Sequence, residues 1–81
     1  MDLARQLAEA LRRVRADSGL THRRIARRLG VSHATYTRLE NASQNVTLKT
    51  LTQLCLALRC DIGELFSGKI SLHAERRRQR R

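Results

Sequence analysis

The chain has no proline and no tryptophan, and across its 81 residues Tyr36 and Phe66 are the only tyrosine and phenylalanine. Without proline nothing forces a break inside a helix. With so few large rings, the core has to be built from Leu, Ala, Ile and Val. Apolar runs are only a few residues long, too short to cross a bilayer or to act as a secretory leader, so a cytoplasmic protein with no membrane partner is expected. Cysteine is scarce too: Cys55 and Cys60 lie five apart, and His22, His33 and His73 stand at no zinc-ligand spacing from them. Both thiols read as small apolar core residues, with a disulfide or a metal site as the alternative. Neither a glycine-rich phosphate loop nor a nucleophile–base motif occurs, so no enzymatic activity and no cofactor are expected.

Acids are the last scarcity. Seven Asp and Glu stand against seventeen Lys and Arg, fifteen of them Arg, giving a formal net charge of +10 and a pI near 11.6. For a chain the length of one small domain, a polyanion is the first partner to expect.

What the chain does have is helical periodicity. After Asp2 as N-cap, Leu3, Leu7, Leu11 and Val14 form one apolar stripe in a helix running to about Asp17 and closed at Ser18-Gly19. Thr21 caps a short helix carrying Ile25, Ala26 and Leu29, closed by Gly30. Ser32 caps a third helix over 33–41 with Tyr36 and Leu39 inward. After a polar loop from Ala42 to Val46, Thr47 caps a fourth helix with Leu48, Leu51, Leu54, Cys55 and Leu58 inside. Asp61 and Glu64 form a capping box for a short fifth helix bearing Ile62, Leu65 and Phe66. All four glycines, Gly19, Gly30, Gly63 and Gly68, read as punctuation between helices. No segment alternates at period two, so the expected fold is all-α: a compact five-helix domain over residues 1–66.

Beyond Phe66 the composition shifts. Residues 67–81 hold six bases against Glu75, a net +5, while residues 1–66 hold eleven bases and six acids, also +5. This arginine-rich tail is expected to be mobile at its end, with Ile70 and Leu72 able to dock on the domain. It either adds phosphate contacts or serves solubility or another partner.

Two helices joined by Gly30-Val31-Ser32 have the spacing of a helix-turn-helix at about 21–41. In that geometry the first helix crosses the DNA backbone and the second enters the major groove. Ala26 is small enough for a close approach, Gly30 permits the turn, and Val31 and Tyr36 fill the crossing. On Gly19-Leu20-Thr21-His22, Ile25-Ala26, Leu29-Gly30-Val31-Ser32, Leu39-Glu40-Asn41, Thr47-Leu48 with Thr50-Leu51, and Asp61 to Phe66, the chain resembles the phage-repressor-like (Cro, or XRE) helix-turn-helix family. The likeness covers roughly residues 5–66 and implies a lambda-repressor-like domain that binds double-stranded operator DNA as a homodimer on a palindrome.

Carried over residue by residue, the resemblance puts base contacts on His33, Ala34, Thr37 and Arg38, with Arg38 the strongest candidate because a guanidinium pairs with guanine O6 and N7 together. It puts phosphate contacts on Thr21, His22, Arg23, Ser32, Thr35, Asn41 and Ser43. His22 stands where relatives usually carry Gln; it either donates to phosphate or is a solvated first-turn residue. Of Arg23, Arg24, Arg27 and Arg28, two or three at most can face DNA. Tyr36 stands where relatives carry Ile or Val and reads as core, not as a base-stacking residue. Arg15 and Glu40 match a buried ion pair in the family, the alternative being two independent surface charges. Ala42 replaces a common Gly at a position favouring positive φ, so the loop after the third helix is expected to bend differently. Val46 replaces a frequent Pro.

Leu58, Ile62, Leu65 and Phe66 exceed what one thin core needs, and relatives dimerise through this end, which makes them the candidate dimer interface. The expected function is a transcriptional regulator, most often an autoregulatory repressor in this family, acting by promoter occupancy or through polymerase. Ser43 to Lys49 also resembles restriction–modification controller proteins. An antitoxin with a toxin partner is the main alternative. A non-specific basic protein binding RNA or membrane surface is disfavoured by the well-capped reading helix and the lack of stacking aromatics.

Overall fold

Among the described residues every helix begins on a side chain that accepts a hydrogen bond from the backbone N–H three residues on, closing one of the amides a helix start leaves unpaired. In the computed structural model, which describes residues 2–70, Asp2 caps α1 (Leu3–Ser18), Thr21 caps α2 (His22–Leu29) and Ser32 caps α3 (His33–Glu40). Thr47 caps α4 (Leu48–Leu58), and Asp61 caps α5 (Ile62–Ser67) in a capping box with Glu64. The described residues are helices and connecting turns, as the periodicity required.

The helix ends are as regular as the starts. A left-handed residue follows each helix within two positions: Gly19, Gly30, Ala42, Arg59 and Gly68. At Gly30, Ala42 and Arg59 the two following amides turn back on the helix: Gly30 to Arg27 and Val31 to Ala26, Ala42 to Leu39 and Ser43 to Arg38, Arg59 to Leu56 and Cys60 to Cys55. This is the Schellman pattern, which satisfies the last carbonyls of a helix. Ala42 at φ 58° therefore makes the bend that Gly favours and accepts the cost of its Cβ, so the expected alternative course of this loop is not taken. Gly63, by contrast, is no turn residue but lies inside the first turn of α5.

Packing follows the apolar stripes. α1 lies against α3 and α5, α2 against α3 and α4, and α4 against α5. Leu7, Leu11 and Val14 of α1 meet Ile25 and Leu29 of α2, Tyr36 and Leu39 of α3, Leu54 and Leu58 of α4 and Leu65 of α5 in one buried cluster. Gln53 of α4 donates to the Gly30 carbonyl at 2.9 Å, which ties α4 to the turn between α2 and α3. Leu48 does not join the core: at 81% exposure it lies on the row Leu48–Thr52–Leu56, to one side of half-buried Leu51 and buried Leu54 and Leu58. The folded unit also runs past Phe66. Gly68 is buried against α1, Arg13 donates to the Ser67 carbonyl at 3.0 Å, and Ile70 packs on the core. Residues 71–81, with Leu72, His73, Glu75 and the five terminal arginines, lie outside the described residues.

Two opposite substitutions test this account of the helix ends. Ala42→Gly removes a side chain from the left-handed region, and after allowance for the freer unfolded chain it is expected to stabilise by about 0.5–1 kcal/mol. Gly68→Ala is expected to destabilise by about 2 kcal/mol or more, since it combines φ +70° with a Cβ placed 3.2 Å from the Ala10 carbonyl oxygen. Thermal melts followed by circular dichroism should move up for the first and down for the second.

Candidate nucleic-acid interface

The position of α3 is set by one carboxylate. Glu40, in the last turn of α3, is buried, with 6% of its side chain exposed. Arg15 of α1 grips it with two hydrogen bonds, Nε to Oε2 at 2.6 Å and Nη2 to Oε1 at 3.3 Å. The Tyr36 hydroxyl donates to Oε2 at 2.5 Å, and His22 of α2 brings Nε2 within 3.3 Å of Oε1. Arg12 adds a bond from Nε to the Glu40 backbone carbonyl at 3.3 Å, closing a carbonyl at the end of α3. Burial alone would raise the Glu40 carboxyl, but the bonds from Arg15 and Tyr36, with the charges of Arg15 and His22, hold it below the usual carboxylate range. The bond to Glu40 raises the Arg15 guanidinium in turn, and burial followed by the same carboxylate raises the Tyr36 phenol.

This arrangement gives His22 a partner within the chain that neither expected reading included. Its Nε2 is turned to Glu40, and its ring meets those of Tyr36 and His33 edge-on, with centroids 5.5 and 6.1 Å apart. His22 and His33 are the first residues of α2 and α3, so their contact brings the two helix N-termini side by side. Aligned peptide dipoles and unpaired amides make such a pole attractive to phosphate.

Along α2 and α3 from that pole the exposed side chains are polar and cationic. His33, Ala34 and Arg38 of α3 are exposed, with Thr35 and Thr37 half-buried between them. Arg23, Arg24 and Arg27 are exposed along α2. Thr21 accepts from the Arg24 amide as a cap, a bond that does not use its own hydroxyl proton. The Ser32 hydroxyl donates to Thr35 Oγ1 at 2.9 Å, so of this pair Thr35 keeps the proton for an outside acceptor. Ser43 is drawn back to the Arg38 carbonyl through its amide at 2.9 Å and its hydroxyl at 3.4 Å. Asn41 follows α3 and is exposed. Arg38 Nε donates to Gln44 Oε1 at 3.2 Å, a bond that steadies the exposed guanidinium without engaging its two terminal amino groups.

Sequence reasoning missed Arg12, Gln44 and the Tyr36–Glu40 bond. Two of these left a signal, since Tyr36 and Glu40 are four apart on one helix and Arg12 and Arg15 three apart on another, so each pair shares a face. Gln44 lies in an irregular loop whose path depends on Ala42 and has no such periodicity. Of the candidate dimer residues, Leu65 and Leu58 are 0% and 8% exposed and belong to the core of the single chain, Phe66 is half-buried, and Ile62 remains open. Cys55 and Cys60 are free and half-buried at the α4–α5 corner, and burial followed by the neighbouring Cys55 pushes the Cys60 thiol up to about 11. No cluster of metal-ligating side chains occurs among the described residues, and none of their helices is long and apolar enough to cross a membrane.

Two short helices set across a tight turn, with the second held by its last turn and open along its outer face, define a helix-turn-helix domain of the DNA-binding class. The family model for the helix-turn-helix domain matches residues 6–66, and the chain belongs to that family, in its Cro/XRE-like form. Among curated proteins it is similar to antitoxin HipB of Escherichia coli (strain K12), with 36% identity over 53 residues, 65% of this chain and 60% of that protein. The chain thus spans well under two thirds of the length of this relative. No solved structure gives a significant match.

Arg15→Ala tests the junction. It leaves Glu40 buried with only Tyr36 and His22 as partners, and because Arg15 is 32% exposed the expected loss is near the low end of the range for a broken buried pair, about 3 kcal/mol. In the native chain, a Glu40 held low contributes stability above the ordinary glutamate pKa of about 4.3, and this contribution is lost as pH falls through the folded value. Urea midpoints measured from neutral to acid pH should fall at higher pH in Arg15→Ala than in the native chain.

Proposed function

We propose that the protein is a sequence-specific transcription regulator that reads the DNA major groove with α3, acting as a homodimer on a palindromic operator and working as an autoregulatory repressor. The observation that supports this best is the convergence of the α2 and α3 N-termini beside an outward-facing row of His33, Ala34 and Arg38. In this reading the terminal amino groups of Arg38 pair with guanine O6 and N7, His33 bonds a base edge, and Ala34 and the Thr37 methyl rest on thymine methyls. Thr21, Arg23, Thr35 and Asn41 meet phosphates on either side and fix the register. His22, Ser32 and Ser43 act at one remove, by holding the helix ends that present these groups.

The relative named as an antitoxin favours a second reading, in which the same domain regulates transcription while another surface of the protein neutralises a toxin. Co-purification of a small partner protein in fixed proportion, lost without abolishing DNA binding when that surface is altered, supports this reading. A restriction–modification controller remains a variant of the first reading, as does action through polymerase.

Selection of preferred duplexes followed by gel shift at fixed salt tests the main proposal. Arg38→Ala is expected to lose about 5- to 150-fold in affinity for the selected duplex and little for random duplex. Arg23→Ala is expected to weaken both equally and to reduce the salt dependence by about one phosphate. Equal losses for Arg38→Ala on both duplexes overturn its role as a reader of bases.

A further inference from the structure

Cys55 and Cys60 are five residues apart, and inside a continuous helix side chains at that spacing face different ways. The end of α4 changes this. Arg59 takes the left-handed conformation at φ 55°, the Arg59 amide reaches the Leu56 carbonyl at 3.3 Å, and the Cys60 amide turns back to the Cys55 carbonyl at 3.0 Å. A helix end of this kind commonly sets the side chain of its last turned-back residue against the side chain whose carbonyl receives the bond, usually as an apolar contact. Here both of those positions carry thiols.

The surroundings of the pair suit a bond between the two sulfurs. A disulfide forms without strain only where the two backbones are already close, and at this corner the turned-back amides fix the intervening residues before any oxidation. Both thiols are free, and both are half-buried, not sealed in the core. They line one groove between α4 and α5, together with Leu48, Leu51, Leu56 and Ile62. Burial first, and the neighbouring Cys55 next, push the Cys60 thiol up to about 11, so Cys60 keeps its proton near neutral pH and the first attack on an oxidant falls to Cys55. A metal centre needs more than two such ligands, and no group of three metal-ligating side chains occurs among the described residues.

We propose that Cys55 and Cys60 are a reversible dithiol–disulfide couple at the α4–α5 corner, closed by exchange with a small-molecule disulfide of the glutathione disulfide class. Cys55, having released its proton, attacks one sulfur of the reagent, breaks its S–S bond and expels one glutathione thiolate, leaving a mixed disulfide on Cys55. Cys60 then gives up its proton and attacks the Cys55 sulfur, which expels the second glutathione. The protein loses two electrons to the reagent, and the two cysteine protons end on the two glutathiones. The new bond pins the residue before the α5 cap to the last turn of α4. In surroundings that keep thiols reduced such a bond is transient, which is the behaviour of a redox-sensing pair and not of a structural staple.

Equilibration of the full native chain with excess glutathione disulfide, followed by acid quenching and intact-mass measurement, tests the proposal. The expected product is a chain lighter by two hydrogens, carrying no glutathione and not linked to another chain, with its helical circular dichroism unchanged. Excess reduced glutathione is expected to return it to the dithiol. Cys55→Ser and Cys60→Ser are each expected to stop at a mixed disulfide that retains one glutathione, with Cys55→Ser the slower of the two to react. A native chain that stays reduced, that keeps glutathione on either cysteine, or that links to a second chain overturns the proposal, as does a loss of helix on closure. The outcome is independent of the DNA-reading proposal, which duplex selection on the reduced chain tests separately.

Discussion

A buried carboxylate is expensive unless every lone pair is used, and the orientation of α3 depends on how Glu40 meets that requirement. Its partners come from α1, α2 and α3 itself, so the three helices meet correctly only when Arg15, His22 and Tyr36 all reach the same two oxygens. An apolar contact would tolerate sliding by a fraction of a helical turn; a bidentate guanidinium does not. In a chain nearly without large rings, this polar junction supplies directional constraint that leucine packing cannot. It also explains why the single tyrosine stands where it does, with its ring in the core and its hydroxyl on Glu40.

The cationic character of the chain divides accordingly. Exposed Arg12 and Arg13 of α1 reach the Glu40 and Ser67 carbonyls, and half-buried Arg15 reaches the Glu40 carboxylate. The first two bonds close carbonyls at helix ends. Arg23 and Arg24 stand in the first turn of α2, beside the converging N-termini, Arg27 and Arg38 lie in the last turns of α2 and α3, and residues 47–67 carry no net charge.

Much of this was legible before any coordinates. Capping side chains and apolar spacing located all five helices to within a residue or so, because Asp2, Thr21, Ser32, Thr47 and Asp61 bond locally and the signal is local too. The failures are of another kind. Ala42 and Arg59 adopt a backbone conformation their side chains disfavour because the path to the next helix requires it, and only tertiary structure carries that requirement. Leu48 looks like core in a count of apolar spacings, yet it falls one row away from the buried face. His22 looks free because the sequence does not show that the end of α3 folds back beside it.

The bond from Gln53 to the Gly30 carbonyl has a consequence for length. It ties α4 to the corner from which α3 departs. Should two copies join as proposed, the distance between their reading helices becomes a property of the protein. The domain then acts as a rigid gauge. A duplex whose half-sites are slightly too near or too far apart must twist or bend to fit it, so the base pairs between the half-sites, touched by nothing, would still be selected for how easily they deform.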